Sequence, residues 1–188
     1  MRRRRRWRRF SLSRRMGNDE SNAPMNSEFA IHVAKENLKF SAAHFIAYPG
    51  FREPLHGHNY QVGVRVEGKL ASTGYVIDFG LIKRIVKSIV DGIDERTIIP
   101  ANSDCLRIDR PNERQVRVRY EDDEFVLPAG DVAMLPIVHS SAEELARYIW
   151  TELVTGLKAQ GASGEADVIE ISVAEGPGQA AIFRNPVA

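Results

Sequence analysis

Three histidines form the group of side chains in this sequence that is best suited to chemistry. His56 and His58 flank Gly57, and side chains two residues apart in an extended strand project from the same face. His44 ends a similar alternating series, so a second strand could bring a third imidazole to the same place. Three nitrogen ligands and one open position are typical of catalytic zinc. A lone histidine on an apolar strand is more often a hydrogen-bonded core residue than a metal ligand. The presence of a third histidine at the end of a similar strand favours a metal site here.

The cysteine content narrows the kind of site and the environment. Cys105 is the only cysteine of the chain, which excludes a thiolate-rich zinc site and a disulfide scaffold. It fits a reducing, cytoplasmic environment. No apolar segment follows the first arginines as in a secretory signal, and no stretch is long enough to span a membrane.

Charge is divided unevenly along the chain. Nine of the 26 basic residues lie in residues 1–15, which contain no acidic residue, and 17 basic and 25 acidic side chains follow. The arginine run could bind nucleic acid or an anionic membrane surface. The favoured interpretation is a disordered basic leader over residues 1–27, with translation possible from Met16 or Met25, so nucleic acid is not an expected partner. The folded domain is predicted over residues 28–188.

Two strands must position the histidines. Phe29–His44 and Leu55–Gly68 alternate apolar and polar residues, which predicts strands. The segment Ile46–Leu55 between them contains two prolines and a glycine and is predicted to be a loop. This loop delivers Glu53 immediately before the strand that carries His56.

Two helices are predicted after the histidine strands. Asp78 is the expected N-cap of the first helix, whose apolar residues recur at spacings of three and four as far as Gly92. Ser141 and Glu144 form a capping box for the second helix, which is predicted to end before Gly161. One face of each helix is apolar and is expected to pack on a sheet.

The segment 101–136 between the helices is less regular. Alternation around Arg117 and Arg119 predicts a hairpin with one charged face. These arginines could contact a substrate phosphate, but an exposed strand face is the favoured interpretation.

The last predicted strand, Asp167–Gly176, places a carboxylate in an apolar row. Glu175 continues the row of buried positions, and an unpaired buried carboxylate is costly. It therefore either reaches solvent at the strand end or meets a specific donor. A planar heterocycle with two adjacent N–H groups would be such a donor, because a carboxylate accepts two parallel hydrogen bonds.

Five motifs follow one another along the chain: Phe40–His44, Leu55–Tyr60, Val76–Phe79, Ser141–Ala146 and the pair Ala174-Glu175. In this order they resemble the family of 6-pyruvoyl-tetrahydropterin synthase and 6-carboxytetrahydropterin synthase. The resemblance implies an α+β tunnelling fold, or T-fold, in which antiparallel sheets backed by two helices form a barrel across subunits. It also implies a homo-oligomer, commonly a hexamer built from two trimers.

The resemblance also implies the chemistry of the site. Zinc would be held by the three histidines, and Glu175 would hold a pterin ring, with Ser141 and Glu143 as further candidate substrate-binding residues. Substrates of the family derive from 7,8-dihydroneopterin triphosphate. The expected activity is therefore that of a zinc-dependent lyase of pterin biosynthesis.

The sequence departs from the family pattern at the expected catalytic residues. Members that make the pyruvoyl or carboxy product have a cysteine shortly before His-Gly-His, where this chain has none. Glu53 instead matches a Glu-x-x-His-Gly-His variant, which resembles synthases that form 6-hydroxymethyl-7,8-dihydropterin, and a carboxylate can replace the cysteine as base. The usual Asp-His pair reads Asp94-Glu95. Glu53, Asp94 and Glu95 are thus the candidate catalytic residues, and His139 is more simply explained as structural.

Two further questions stay open at the level of sequence. The connection from Asp94 to Ser141 exceeds the family's usual length, and the extra hairpin could cover the pocket, extend a subunit interface or decorate the surface. The second question is the activity. The product could be the 6-carboxy or 6-pyruvoyl pterin rather than the 6-hydroxymethyl pterin, or the chain could be a homologue that binds zinc and pterin without catalysis.

Overall fold

The computed structural model describes residues 28–162 and 166–187, so the predicted leader over residues 1–27 lies outside the described residues. The helices are α1 (Phe79–Asp91) and α2 (Ala142–Ala159). The strands are β1 (Phe29–His44), β2 (Ala47–Tyr48), β3 (Phe51–Arg52), β4 (His56–Gly68), β5 (Arg96–Pro100), β6 (Arg107–Asn112), β7 (Gln115–Tyr120), β8 (Asp123–Pro128), β9 (Val132–Leu135), β10 (Ala166–Gly176) and β11 (Gln179–Pro186).

A six-stranded sheet in the order β11-β10-β4-β1-β5-β9 forms the centre of the fold. The first four strands of this order are antiparallel neighbours, whereas β5 and β9 extend the sheet parallel to β1. The sequence did not predict β5 and β9. Residues 97–100 of β5 are all buried, and a strand covered on both faces shows no alternation from which it could be recognised.

A bulge in β1 determines which of its residues face the helices. Between Ala34 and Lys39 the pairing with β4 shifts register, because β1 contains more residues there than its partner does. The excess is odd, so the core-facing positions change from odd to even numbers. Val33 before the bulge and Phe40 after it are both buried, and His44 lies on the same face as Phe40.

Both helices cover one face of this sheet. α1 packs against β1 and α2 packs against β10 and β11. Asp78 caps α1 by accepting from the Gly80 amide, and Ser141 caps α2 by accepting from the Glu144 amide, as predicted. The Glu144 carboxylate accepts from Val138, so only one half of the expected capping box forms. Within the described residues, no helix combines the length and apolarity needed to cross a membrane.

The segment between the helices forms a sheet of its own. Its three antiparallel strands β6, β7 and β8 extend the predicted hairpin by one strand, and we refer to them as the inserted sheet. One face of β7 is buried in a second hydrophobic core with Phe45, Ala47 and Ile99. The main core between the large sheet and the helices is a separate cluster.

Gly156 of α2 packs closely against α1. A β-carbon at this position would lie 2.9 Å from Cγ2 of Ile85, which is closer than two carbon atoms can pack. We therefore expect Gly156→Val to lower the free energy of unfolding by about 1–3 kcal/mol, because overpacking forces the helices apart. Chemical denaturation monitored by circular dichroism measures the change.

Thr155→Val is the matched control for this variant. Thr155 is the neighbouring position on the exposed face of α2, and the change introduces the same side chain. We expect a change of less than about 0.5 kcal/mol, as for other surface substitutions. Equal effects of the two variants would contradict close packing at Gly156.

Candidate functional site

The pairing of β1 with β4 brings the three histidines together. His44 lies directly opposite His56 in the ladder, and His58 lies on the same face two residues further along β4. The ring centroids are 4.6 Å apart for His44 and His56, 5.3 Å for His44 and His58, and 5.0 Å for His56 and His58. One ring nitrogen from each histidine lies within 4.8 Å of the others, a spacing that could hold a metal ion.

Hydrogen bonds to backbone carbonyls orient two of these rings. Nδ1 of His44 donates to the Ser140 carbonyl at 2.7 Å, and Nδ1 of His56 donates to the Pro54 carbonyl at 2.9 Å. A carbonyl can only accept, so in each neutral ring the proton lies on Nδ1 and the lone pair on Nε2. Such outer contacts fix the tautomer and orientation of metal-binding histidines.

His44 is the buried member of the histidine cluster, with 2% exposure. Burial lowers the pKa of His44, and the hydrogen bond to Ser140 opposes this in part. Nε2 of His44 is buried and has no hydrogen-bond partner among the described residues, although Oε1 of Glu175 approaches to 4.0 Å. Because the ring is held neutral, this approach is not an ion pair. A buried lone pair without a donor fits a metal ion, which satisfies it.

Glu175 contacts a buried tyrosine at the edge of the same cluster. The hydroxyl of Tyr60 donates to Oε1 of Glu175 at 3.5 Å. Burial raises the pKa of Tyr60, and the Glu175 charge raises it further, so the phenol remains protonated as a donor. The side chain of Glu175 is 25% exposed. Both alternatives raised by the sequence therefore apply, since the carboxylate meets a donor and also reaches solvent.

Two open clefts adjoin Glu175. One, of about 370 Å³, is also lined by Ser141 and Glu143, so the three candidate substrate-binding residues share a cleft. The other, of about 620 Å³, is also lined by Gly57 and His58. Glu175 thus lies between the histidine cluster and the amino end of α2.

Glu53 lies in the loop before β4, where hydrogen bonds with Ile46 hold it. Its Oε2 accepts from the Ile46 amide at 3.0 Å, and its own amide donates to the Ile46 carbonyl at 2.9 Å. Its charge also contributes to the raised pKa of Tyr60, after burial and Glu175. Within the described residues, Oε1 of Glu53 makes no hydrogen bond.

Asp94 and Glu95 lie at a different place. Oδ1 of Asp94 accepts from the Ser41 amide at 2.7 Å, and the Glu95 amide donates to the Ser41 carbonyl at 2.7 Å. In the part of the chain that the structure describes, neither residue forms a hydrogen bond or ion pair with the three histidines. Glu95 lines a separate cleft of about 500 Å³ with His58 and Asn59. The sequence prediction grouped this pair with Glu53 as candidate catalytic residues. Within the described residues neither forms a hydrogen bond or ion pair with Glu53, and their role stays a prediction.

The other residues considered from the sequence lie away from the cluster. Arg117 and Arg119 both form ion pairs with Asp109 inside the inserted sheet. This arrangement accords with the exposed strand face rather than with a phosphate site. Cys105 is half-buried and packs against the second core. His139 is half-buried and precedes the cap of α2.

Two functional contacts escaped the sequence reasoning. The Ser140 carbonyl fixes His44, and the Ser140 side chain is itself anchored by donating to the Phe45 carbonyl at 2.7 Å. A backbone carbonyl leaves no signal in a sequence. Tyr60 was recognised as part of the apolar row, but its contact with Glu175 depends on the pairing of β10 with β4.

Sequence comparisons place this arrangement among known proteins. A family model described as 6-pyruvoyl tetrahydropterin synthase matches residues 32–186. A Methanocaldococcus jannaschii protein named putative 6-carboxy-5,6,7,8-tetrahydropterin synthase is 37% identical over 149 residues, which cover 79% of this chain and 90% of that protein.

Solved structures agree with the sequence comparisons. The 6-pyruvoyl tetrahydropterin synthase of Plasmodium falciparum is 40% identical with a TM-score of 0.78, over 86% of this chain and 99% of that one. The enzyme of Plasmodium vivax, solved with a catalytic glutamate replaced by alanine, is 34% identical with a TM-score of 0.79, over 84% of this chain and 98% of that one.

The histidine cluster generates a prediction about metal content. We expect His58→Ala and His56→Ala each to weaken the binding of a divalent metal ion by at least about 100-fold, since even outer contacts of such sites contribute 10–100-fold. Metal content after dialysis against a weak chelator, measured by elemental analysis, reports the loss.

The remaining two histidines of the chain provide the controls. His32 is exposed and His139 is half-buried, and neither belongs to the cluster. We expect His32→Ala and His139→Ala to retain the full metal content. A similar loss in these variants would show that binding is not specific to the cluster.

Proposed function

The chain belongs to the 6-pyruvoyl tetrahydropterin synthase family of pterin-biosynthesis lyases and has its T-fold, and on this premise we propose that it is a zinc-dependent lyase of 7,8-dihydroneopterin triphosphate or a close relative. The observation that carries the proposal is the cluster of His44, His56 and His58, with Oε1 of Glu175 at 4.0 Å from Nε2 of His44. Glu53 lies in the loop that leads directly into the strand carrying His56 and His58.

We propose zinc on Nε2 of His44, His56 and His58. All three ligands would be imidazole nitrogens, and the orientation of two of them by carbonyls is typical of zinc sites. Bound zinc would act as a Lewis acid that polarises oxygen atoms of the substrate side chain.

The acceptor for the pterin ring is proposed to be Glu175. The Tyr60 hydroxyl donates to Oε1, and the other lone pairs of the carboxylate would be available to a ligand in the cleft that Glu175 lines. A carboxylate can accept from the ring N–H and the exocyclic amino group of a pterin together. Ser141 and Glu143 line the same cleft and are proposed to contact the substrate beside Glu175.

The general base is proposed to be Glu53. Ile46 holds Oε2, so Oε1 is the oxygen available to take a proton. The Plasmodium vivax relative has a catalytic glutamate, which supports a carboxylate in this role. The sequence also suggested Asp94 and Glu95, and Glu95 lines a cleft with His58. A catalytic role for these two residues stays a prediction.

The product that this base favours is 6-hydroxymethyl-7,8-dihydropterin. Oε1 of Glu53 would remove the proton of the hydroxyl on the second side-chain carbon. The bond between the first and second carbons would then break, with its electron pair passing to the dihydropterin ring. Protonation of the first carbon would leave a hydroxymethyl group and release an aldehyde that carries the triphosphate.

A second candidate product is the 6-carboxy or 6-pyruvoyl pterin. The names of the relatives from Methanocaldococcus jannaschii and Plasmodium falciparum favour it. A homo-hexamer of two trimers is the assembly that we propose for either reaction, and native mass spectrometry can measure it.

The decisive experiment identifies the product by mass. We expect zinc-loaded protein to convert 7,8-dihydroneopterin triphosphate to 6-hydroxymethyl-7,8-dihydropterin, and Glu53→Gln to lower kcat by about 10²–10⁴-fold with unchanged zinc content, because a general base contributes this much.

The alternatives give distinct results in the same assay. A 6-carboxy or 6-pyruvoyl product would replace the proposed reaction with the second candidate. Binding of zinc and pterin without turnover on any dihydropterin triphosphate would identify a non-catalytic homologue. Full activity of Glu53→Gln would remove Glu53 from the mechanism.

A separate prediction concerns Glu175. We expect Glu175→Gln to raise KM by about 10–100-fold with a smaller change in kcat, because hydrogen bonds to a charged partner contribute about 1.5–3 kcal/mol. Steady-state kinetics on the pterin triphosphate separate the two constants.

Glu113→Gln is the control for this change. Glu113 is exposed in the turn between β6 and β7, so the same loss of charge should leave both constants unchanged. A KM effect of equal size in Glu113→Gln would show that net charge, rather than contact with the ring, governs binding.

A further inference from the structure

The loop that carries Glu53 has little structure of its own. β2 and β3 contribute only two residues each, and Ile46 and Glu53 are the next pair outward from this hairpin. An isolated hairpin of this size is not stable in water. The position of Glu53 therefore depends on contacts from outside the loop.

Arg52 provides the strongest of these contacts. Its Nε and Nη2 donate to Oδ2 of Asp123 at 2.9 and 2.6 Å, and its Nη1 donates to the Glu53 carbonyl at 2.8 Å. One planar guanidinium thus joins β8 of the inserted sheet to the residue that bears the proposed base. Because the guanidinium is planar and rigid, it fixes the orientation of the groups to which it donates and does not merely attract them.

Aromatic rings hold the guanidinium in place. It lies 5.1 Å from the ring centroid of Phe125 and 5.9 Å from that of Phe45, and these two rings stack on each other. The hydroxyl of Tyr120 donates to the Tyr48 carbonyl at 2.9 Å and fixes the other end of the hairpin. The inserted sheet therefore contacts the loop at both strands.

We propose that the inserted sheet positions Glu53 for catalysis, with Arg52 and Asp123 as the positioning pair. This inference rests on the proposed function only in taking Glu53 as the base. It assigns a role to the segment whose purpose the sequence left open. An exposed ion pair contributes little to stability, so the effect of this pair is expected in turnover rather than in folding.

Asp123→Ala tests the proposal by kinetics. We expect kcat to fall by about 10–100-fold, because small displacements of a catalytic group have effects of this size, while KM changes by less than about twofold. Zinc content and the denaturation midpoint should be unchanged. In the Glu53→Gln background, Asp123→Ala should cause no further loss, since the group to be positioned is absent.

Asp109→Ala is the matched control. Asp109 also pairs with arginines in the inserted sheet, but its partners are Arg117 and Arg119, for which the described residues show no hydrogen bond or ion pair with the loop. Its replacement removes the same charge from the same sheet and should leave kcat unchanged. Equal loss in both variants would show a general effect of the sheet and overturn the assignment to Asp123.

Hydrogen exchange of the backbone amides tests the same proposal without any substrate. In Asp123→Ala the amides of residues 46–53 should exchange about tenfold faster, and in Asp109→Ala they should not. Unchanged exchange in Asp123→Ala would overturn the proposal. Faster exchange in Asp123→Ala together with an unchanged kcat would also overturn the proposal, because the loop would then move without any effect on turnover.

The two readouts separate this inference from the proposed function. If the wild-type protein turns over no pterin, the proposed function fails, and the exchange data still decide whether Asp123 holds the loop. If the wild type is active and Asp123→Ala is unaffected in both readouts, the positioning role alone fails.

Discussion

The register between β1 and β4 is the constraint on which the site depends. Side chains alternate between faces, so a slip of one residue would turn one histidine of the facing pair away from the other. The apolar residues of β1 occupy odd positions before the bulge and even positions after it. The bulge therefore allows both segments of the strand to face the main core while the histidines remain in register. The same feature that keeps Val33 and Phe40 in the core therefore keeps His44 opposite His56.

The site continues the main core rather than interrupting it. Tyr60 is fully buried, stacks on Phe40 with 4.6 Å between ring centroids, and presents only its hydroxyl to Glu175. The hydroxyl of Tyr60, at the end of the apolar row, therefore has a hydrogen-bond acceptor at the point where the row meets the cleft. The buried carbonyl of Ser140 does the same for His44 from the side of α2. The first contact follows from the pairing of β10 with β4, and the second from the position of Ser140 immediately before the cap of α2.

Much of this arrangement follows from local sequence patterns. Alternation predicted the two histidine strands, and caps with a three-and-four spacing predicted both helices within a residue or two. The ends of these elements identified Glu53, Glu175 and the histidines. β5 and β9 escaped prediction because a buried parallel strand does not alternate, and the third strand of the inserted sheet escaped because its residues are largely exposed and lack a pattern. The contacts of Asp94 and Glu95 with the backbone of Ser41 could not be foreseen, since they depend on where the chain passes β1 after α1.

The presence of two separate hydrophobic cores has a consequence for how such a protein can diverge. The histidines and Glu175 extend from the main core, whereas the loop with Glu53 leans on the second core beneath the inserted sheet. Substitutions in one core are therefore partly insulated from the other. A lineage could change the residues of the loop and the inserted sheet, including the proposed base, while the strands that carry the histidines stay intact. Changes in the reaction could then arise without changes in the strands that carry the histidines.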